Sequence, residues 1–384
     1  MAIKQVFFIL LFVVGSLTAE AAKANTVSTY YPINIPSLRF AVQDIEKAMM
    51  QRGDTIKKYP LAKMKNPQEQ LRIAQGLLED EVLMKTLNVA GGNAPSLLNP
   101  EGYSMQLTEQ GGKTTVWAIG ADETGAMYAG LALAEKISFD GLDRIQEEVC
   151  QPHISKRGLK INIPLDARTP AYADCGDAAQ QNMLVMWDID FWKQHLDRMA
   201  RYRYNTITFW NAHPFPAMVK VPEYPDVAID DVMIADIDWR EWIPRSPHRI
   251  IDQEIYDHLR TIKKMTVDEK IAFWQEVKQY AHDRGIEIHM ITWNIFVWGA
   301  DVCNYGISDK IDNEITIDYL RKSVCALFET YPLLAGIGVT AGENMKKTKP
   351  DDKEQWLWKT YGLGVMDAKK KFPDRKICFI HRYW

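Results

Sequence analysis

This 384-residue chain lacks the motifs of several common chemistries. It contains no CxxC, HExxH or GxSxG pattern, so the sequence does not indicate a zinc, thiol-redox or serine-hydrolase site. It has only five cysteines, spread widely, and an odd number cannot pair completely. In a chain of this length they indicate mostly buried thiols rather than a disulfide framework.

A strong excess of charge is also missing. The formal net charge is −4, which gives no reason to expect a nucleic acid or an anionic membrane as a partner. The apolar run from Val6 to Val14 is too short to span a membrane, which takes about twenty residues. The sequence predicts neither a metal nor a cofactor, and it does not indicate an oligomeric state.

The first residues have the pattern of an export signal. Lys4 supplies a positive start, the apolar run follows, and Ala19-Glu20-Ala21 offers the small-x-small pattern that signal peptidase accepts. We therefore expect a signal peptide over residues 1–21 and a mature protein exported to the periplasm or the cell exterior.

Residues 24–150 show a mixed α/β pattern and are expected to form a small N-terminal domain. The pattern predicts a helix from Ser37 to about Arg52 and a strand from Thr55 to Lys65. A second helix follows from Pro67 to about Leu78. A hairpin of strands 101–107 and 114–119 then precedes a helix over 126–137.

From Arg157 the chain alternates strands with helices, which predicts a parallel sheet with right-handed crossovers. The strand candidates are residues 158–163, 205–210, 286–292, 334–340 and 376–381, and the helices are 190–203, 267–284, 317–331 and 353–371. A Pro- and Trp-rich stretch, 211–266, interrupts this order and is expected to be a functional insertion.

Residues 157–384 are therefore expected to form a (β/α)8-type TIM barrel of which about five strands are present. A complete barrel takes roughly 250 residues, and the last strand candidate continues to the final residue. We expect the chain to be the front part of a longer protein, with an open sheet as the alternative.

Glu343 is the first candidate for catalysis. It follows the short apolar strand 334–340, and carboxylates placed just past strand ends carry the chemistry of barrel enzymes. Glycosidic cleavage usually takes two carboxyl groups. Four aspartates are candidates for the second: Asp166, Asp174, Asp177 and Asp301. Any of them could equally be a solvated loop residue, and Glu343 could simply stabilise a helix N-terminus.

Twelve tryptophans are present, and two of them precede an asparagine at strand ends: Trp210-Asn211 and Trp293-Asn294. A ring offers a surface on which a sugar can stack, and an amide both donates to and accepts from hydroxyls. Substrate contacts are also expected from three further residues near strand ends: Arg168, His213 and His381. Each of these has a structural alternative. The asparagines could cap turns, the tryptophans could fill the barrel mouth, the arginine could be a surface charge, and the histidines could be structural hydrogen-bonding partners.

Four segments resemble a known arrangement: Glu101-Gly102-Tyr103, Trp117 to Gly120, Gly125 to Leu131, and Arg157-Gly158. They look like the small N-terminal domain of family 20 hexosaminidases and family 67 α-glucuronidases, and like the start of the hexosaminidase barrel. The resemblance implies a zincin-like, hexosaminidase-type α+β domain followed by a TIM barrel, in an exported glycoside hydrolase.

The fourth strand departs from the family 20 pattern. Family 20 enzymes carry an Asp-Glu pair there, in which Asp orients the acetamido group of the substrate and Glu is the acid. The matching pair here is Gly342-Glu343, which is closer to family 67. The resemblance thus implies a glycosidase acting on oligo- or polysaccharides, with an α-glucuronidase-like specificity as one option and Glu343 as acid. The alternatives are a non-catalytic carbohydrate-binding protein or an inactive half-barrel, and an N-terminal protein-interaction module.

Overall fold

A computed structural model describes residues 25–64, 69–141, 144–171, 177–245, 251–293, 295–342, 345 and 348–382. The predicted signal peptide, residues 1–21, lies outside the described residues. No helix within the described ranges is long and apolar enough to cross a membrane.

The first half of the chain forms a six-stranded mixed sheet in the order β2-β1-β3-β5-β4-β6. Strands β1, β2, β3 and β5 run parallel, whereas β4 is antiparallel to β5 and β6. The elements are β1 (Thr26–Tyr31), α1 (Pro36–Gln51), β2 (Thr55–Pro60), β3 (Leu71–Leu77), α2 (Glu81–Val89), β4 (Tyr103–Gln110), β5 (Lys113–Gly120), α3 (Glu123–Phe139) and β6 (Glu148–Cys150).

Helices α1 and α3 pack closely against each other and against this sheet. The Asp122 carboxylate caps α3 by accepting a 2.8 Å hydrogen bond from the Gly125 amide. A Cβ at Gly130 would stand 2.5 Å from Gln75 Nε2 and 2.8 Å from Ala41 Cβ. Glycine at this position therefore permits the close approach of the two helices.

The predicted helix from Pro67 to Leu78 is wrong, because Leu71–Leu77 is strand β3. The Gln- and Leu-rich sequence favours a helix locally. Yet β3 lies between β1 and β5, pairs with both, and is mostly buried. Burial between two partners outweighs the local preference. The hairpin and the helix predicted after it are present as β4, β5 and α3.

The second half contains a five-stranded parallel sheet in the order β7-β8-β11-β12-β13. Its elements are β7 (Gly158–Asn162), α4 (Asp177–Met186), α5 (Ile189–Arg201), β8 (Thr206–Trp210), α6 (Phe215–Met218), β9 (Val232–Ala235), α7 (Trp239–Arg245), α8 (Gln253–Asp257), β10 (Leu259–Lys263), α9 (Val267–His282), β11 (Glu287–Trp293), α10 (Glu314–Thr330), β12 (Leu334–Thr340), α11 (Pro350–Leu357), α12 (Leu363–Lys371) and β13 (Cys378–Arg382). A short π-helical turn joins α11 to α12.

One face of this sheet is covered by helices, and we call it the outer face. Phe209 of β8 is fully buried there, with ring centroids 4.9 Å from Trp192 and 5.5 Å from Trp274. Helix α9 begins at the predicted residue because Thr266 and Glu269 form a reciprocal capping box. The opposite, inner face carries the alternate residues of each strand.

The insertion predicted at 211–266 is a small folded unit. Strands β9 and β10 form an antiparallel pair, with α7 and α8 between them. The Asp166 carboxylate, just past β7, accepts a 2.9 Å hydrogen bond from the Met233 amide of β9. The insertion is thereby fixed over the carboxyl-terminal edge of the sheet.

Candidate functional site

The carboxyl ends of the five parallel strands meet at one edge, and their inner-face residues lie side by side. In the strand register Trp293 pairs with Thr340, and Thr340 pairs with Arg382. Paired residues of parallel neighbours share a face of the sheet. Trp210 and Asn162 form the adjacent row on β8 and β7. Together these five residues define the candidate site.

Two tryptophans supply the apolar part of the site. The Trp210 and Trp293 ring centroids are 5.1 Å apart, with the planes at 68°. Trp210 Nε1 donates to Thr208 Oγ1 at 2.9 Å, which sets the orientation of the indole. Lys160 Nζ lies 4.9 Å from the Trp210 ring centroid, within cation–π range. Trp210 stays half-buried and can offer a ring face to a ligand.

Two polar atoms in the site lack a partner in the described part of the chain. Thr340 Oγ1 and Asn162 Oδ1 are buried and accept no hydrogen bond from any described residue. Because buried polar groups are nearly always satisfied, these two atoms mark a hydrogen-bonding requirement that the described residues leave unmet. Thr340 is fully buried, so a bound polar molecule would reach its hydroxyl only if neighbouring side chains moved. Arg382 adds an exposed guanidinium beside Thr340.

Arg168 is committed to a structural ion pair. Its Nε and Nη2 lie 2.7 and 2.8 Å from the two oxygens of Asp166, and Nη2 also donates to the Asp230 carbonyl at 2.7 Å. Asp166 is fully buried. The bidentate pair holds the loop after β7 against the insertion, so neither residue presents its charge to the inner face.

Asn211 and His213 are both fully buried. Asn211 Nδ2 donates to the Ile163 and Thr169 carbonyls at 2.9 and 3.3 Å, and its Oδ1 accepts from the His213 amide at 3.0 Å. These contacts close the turns after β7 and β8. Asn211 therefore has no exposed polar atom to offer a sugar.

The His213 imidazole connects the loop after β8 with the loop after β11 and with helix α10. Its Nδ1 lies 2.7 Å from the Trp298 carbonyl, which can only accept, so Nδ1 carries the proton. Nε2 then accepts from the Tyr319 hydroxyl at 3.1 Å. Burial lowers the pKa of His213 to about 4, and the ring is neutral near pH 7. The fully buried His213 side chain therefore stabilises the edge of the sheet and is not exposed to a ligand.

His381 is placed on the other side of the sheet. It pairs with Val339 in the register, one residue out of phase with Thr340 and Arg382. Its Nε2 lies 3.4 Å from the Glu354 carboxylate of α11, on the outer face. The side chain is thus separated from Trp210 and Trp293 by the sheet itself.

Asn294, Glu343 and Asp174 lie outside the described residues, while Asp177 begins α4. In the sequence, Ala341 and Gly342 connect Thr340 of the site to Glu343. Gly342 has φ +86°, and its carbonyl accepts a 3.2 Å hydrogen bond from Lys353 Nζ. The glycine thus provides a left-handed turn directly at the end of β12.

Asp301 follows β11 at the same edge. Desolvation of its carboxyl raises the pKa although the residue is exposed overall, and hydrogen bonds from backbone amides partly oppose the shift. Nearby Gly299 has φ +84°, and a Cβ there would stand 3.2 Å from the Arg168 carbonyl. The Asp301 loop is therefore packed against the loop after β7.

Sequence reasoning did not select Lys160, Thr340, Asn162 or Arg382. Alternate residues of a strand lie on the same face of the sheet. Once the neighbours of each strand are known, this alternation identifies the four residues as members of the inner face. Within the described residues, no three His, Cys, Asp or Glu side chains are grouped as metal ligands.

No protein-family model and no curated protein matches this chain. Solved structures do match it. A GH138 enzyme targeting pectin rhamnogalacturonan II is 21% identical with a TM-score of 0.61, and the match covers 91% of this chain and 34% of that one. A mutant β-hexosaminidase from Streptomyces plicatus is 11% identical with a TM-score of 0.50, covering 90% and 60%. An inactive GH20 exo-β-N-acetylglucosaminidase from Vibrio harveyi is 12% identical with a TM-score of 0.50, covering 93% and 51%.

These matches show a shared fold. The chain has an α/β architecture that resembles family 20 hexosaminidases and the GH138 glycoside hydrolase. It spans about a third of the first structure and between half and three fifths of the other two.

Proposed function

We propose that this chain is part or all of an exported glycoside hydrolase that cleaves a terminal glycosidic bond of an oligo- or polysaccharide by general acid catalysis. The observation that carries the proposal is the row Trp293, Thr340 and Arg382 beside Trp210. It combines a stacking surface, a hydroxyl that has no partner among the described residues, and a cation at the edge where barrel enzymes bind substrates. The glycosidase fold of the matching structures supports the same assignment.

Glu343 is our proposed general acid. It follows the Gly342 turn at the end of β12, three residues beyond Thr340, and is therefore close to the row in sequence. A glutamate placed among aromatic side chains tends to keep its proton, because desolvation disfavours the carboxylate. Asp301 is the proposed second carboxyl group, since Asp166 is occupied by Arg168.

The finer proposal is an α-glucuronidase-like specificity, in which the terminal sugar carries a carboxylate. Lys160 and Arg382 place two cations on the inner face around the tryptophans. Arginine forms strong bidentate pairs with carboxylates. The chain also lacks an aspartate before Glu343, so it lacks the residue that orients an acetamido group in family 20. One matching enzyme targets pectin rhamnogalacturonan II.

The test is hydrolysis of chromogenic 4-nitrophenyl glycosides by the full chain. We expect the α-glucuronide to be cleaved faster than the α-glucoside and the N-acetyl-β-glucosaminide. Glu343→Gln should lower kcat at least about a hundredfold, the lower range of one general acid, and leave sugar binding measurable by calorimetry. Glu314→Gln, in the exposed first turn of α10, is the matched control.

A carbohydrate-binding protein without catalysis is the second candidate, because the row of ring, hydroxyl and cation needs no second carboxyl group to hold a sugar. It predicts calorimetric binding of glucuronic acid oligomers with no turnover in any variant. Measurable turnover that Glu343→Gln leaves unchanged would instead remove Glu343 from the mechanism.

A further inference from the structure

A cysteine, a histidine and a glutamate lie together at the amino-terminal end of the second sheet. Cys378 begins β13, and its register partner on β12 is Gly336, which in turn pairs with His289 of β11. Glu287 is two residues before His289 on the same strand. All four positions are on the inner face, because paired residues and residues two apart in a strand share a face.

Gly336 brings the thiol and the imidazole together. A Cβ at this glycine would stand 2.8 Å from Cys378 Cβ and 2.8 Å from His289 Nδ1. The two side chains therefore lie on either side of the space that a larger residue would fill. Contact between the two groups requires the Cys378 rotamer that turns Sγ towards the ring nitrogen, and the thiol itself is exposed.

Glu287 determines which nitrogen of His289 is basic. Its Oε2 lies 3.4 Å from His289 Nε2 and also binds Lys156 Nζ. The His289 hydrogen bond, together with Lys156, lowers the pKa of Glu287 to about 2, so this group is a carboxylate near pH 7. A carboxylate at Nε2 keeps the proton on that nitrogen and leaves the lone pair on Nδ1.

His289 Nδ1 is an unused base. The side chain is 4% exposed, and Nδ1 has no hydrogen-bond partner among the described residues. A buried lone pair without a donor is unfavourable unless something supplies a proton. The thiol of Cys378 lies on the same face, on the other side of Gly336.

We propose that Cys378 is a reactive thiol, activated by His289 with Glu287 as the positioning residue, and that it undergoes exchange with small disulfides. The Sγ proton moves to His289 Nδ1, and the thiolate attacks one sulfur of the disulfide. A new S–S bond forms as the old one breaks, and the departing thiolate takes the proton back from Nδ1. An acceptor base adjacent to the thiol, itself oriented by a third group, is the arrangement that activates cysteine nucleophiles.

This site is separate from the sugar site. Cys378 and Arg382 are the two ends of β13, about 13 Å apart at the rise of an extended strand. Two other cysteines provide internal comparisons. Desolvation and the nearby Glu329 raise the pKa of Cys325 to about 12, and desolvation also raises the pKa of Cys303.

The experiment measures modification of each cysteine by an aromatic disulfide at pH 7, with peptide mapping to resolve the sites. We expect Cys378 to react at least about tenfold faster in the native protein than in the same protein unfolded in urea, although unfolding only increases its exposure. His289→Gln should remove that advantage, and Glu287→Gln should reduce it. The rate at Cys303 should be the same in these variants as in the wild type.

A native Cys378 rate no higher than the unfolded rate would overturn the proposal, as would full reactivity in a folded His289→Gln variant. Should that variant not fold, the pH dependence of the wild-type rate decides. Activation by His289 predicts that the native rate rises at lower pH than the rate of the unfolded thiol. Coincident profiles would contradict it.

Discussion

Glu101 and Asn205 are joined by a 2.7 Å hydrogen bond from Asn205 Nδ2 to Glu101 Oε1, which connects the turn before β4 of the first sheet to the start of β8 in the second. The other Glu101 oxygen binds Arg157 Nη2, and that guanidinium also lies 3.5 Å from the Tyr128 hydroxyl. Glu101 reaches both partners from a left-handed backbone with φ +64°. The motif residues that carried the family resemblance are thus in mutual contact.

Glu101→Gln should destabilise the protein. The substitution leaves the Arg157 guanidinium, whose side chain is 19% exposed, without its counter-charge, at a cost of about 2 kcal/mol. Urea unfolding followed by circular dichroism measures the change. Glu135→Gln is the control, because its pair with Arg203 is more exposed and should contribute less than about 1 kcal/mol. Equal effects of the two substitutions would contradict the role of Glu101.

Lys278→Met should stabilise the protein. Lys278 Nζ is buried, has no hydrogen-bond partner in the described ranges, and lies 3.9 Å from the Tyr331 ring centroid. Desolvation lowers its pKa to about 7. The unfolded chain therefore binds more protons between pH 7 and about 10.5, and wild-type stability should rise with pH over that interval.

In the Lys278→Met variant the rise in stability between pH 7 and about 10.5 should vanish. Its free energy of unfolding should exceed that of the wild type by about 2–4 kcal/mol at pH 7 and below. Denaturant titrations at several pH values measure both quantities. Lys193→Met, at a partly exposed lysine paired with Glu276, is the control and should keep the wild-type dependence of stability on pH. A Lys278→Met variant that is less stable at pH 7 would show that the aromatic contacts outweigh desolvation.

His213 should make the protein sensitive to acid. Its pKa is lowered from 6.5 to about 4 by burial, so the unfolded state takes up a proton first as the pH falls. The free energy of unfolding should therefore fall by about 3 kcal/mol as the pH is lowered from 6.5 to 4. His213→Phe should flatten this region of the curve, while His282→Phe, at a 65% exposed side chain, should leave it unchanged.

Trp210→Ala should weaken sugar binding without unfolding the sheet. The ring is half-buried and contacts Trp293 and Lys160 on the inner face. Loss of one stacking surface is expected to lower affinity about tenfold, or about 1.4 kcal/mol, in calorimetry with a uronic acid oligosaccharide. Trp358→Ala is the control, because it removes a 55% exposed indole from the π-helical turn between α11 and α12. Equal losses in both variants would argue against a site at Trp210.

Asn211 and His213 were expected at the site only because each follows the end of a strand in the sequence. Asn211 and His213 follow a strand end, as sugar-binding residues often do, yet both are fully buried. The partners that bury His213 are Trp298 and Tyr319, which lie 85 and 106 residues away in the chain. No local pattern records such distant contacts.

The sequence by itself determined the elements whose causes are local. The Gly111-Gly112 turn between alternating segments produces the β4–β5 hairpin, and the Thr266–Glu269 capping box sets the start of α9. Only the tertiary structure decided the identity of β3 and the face on which each strand residue lies. His381 and Arg382 are adjacent in sequence but are separated by the sheet. The reason is that side chains alternate with a period of two, and which face is covered depends on strands and helices far along the chain.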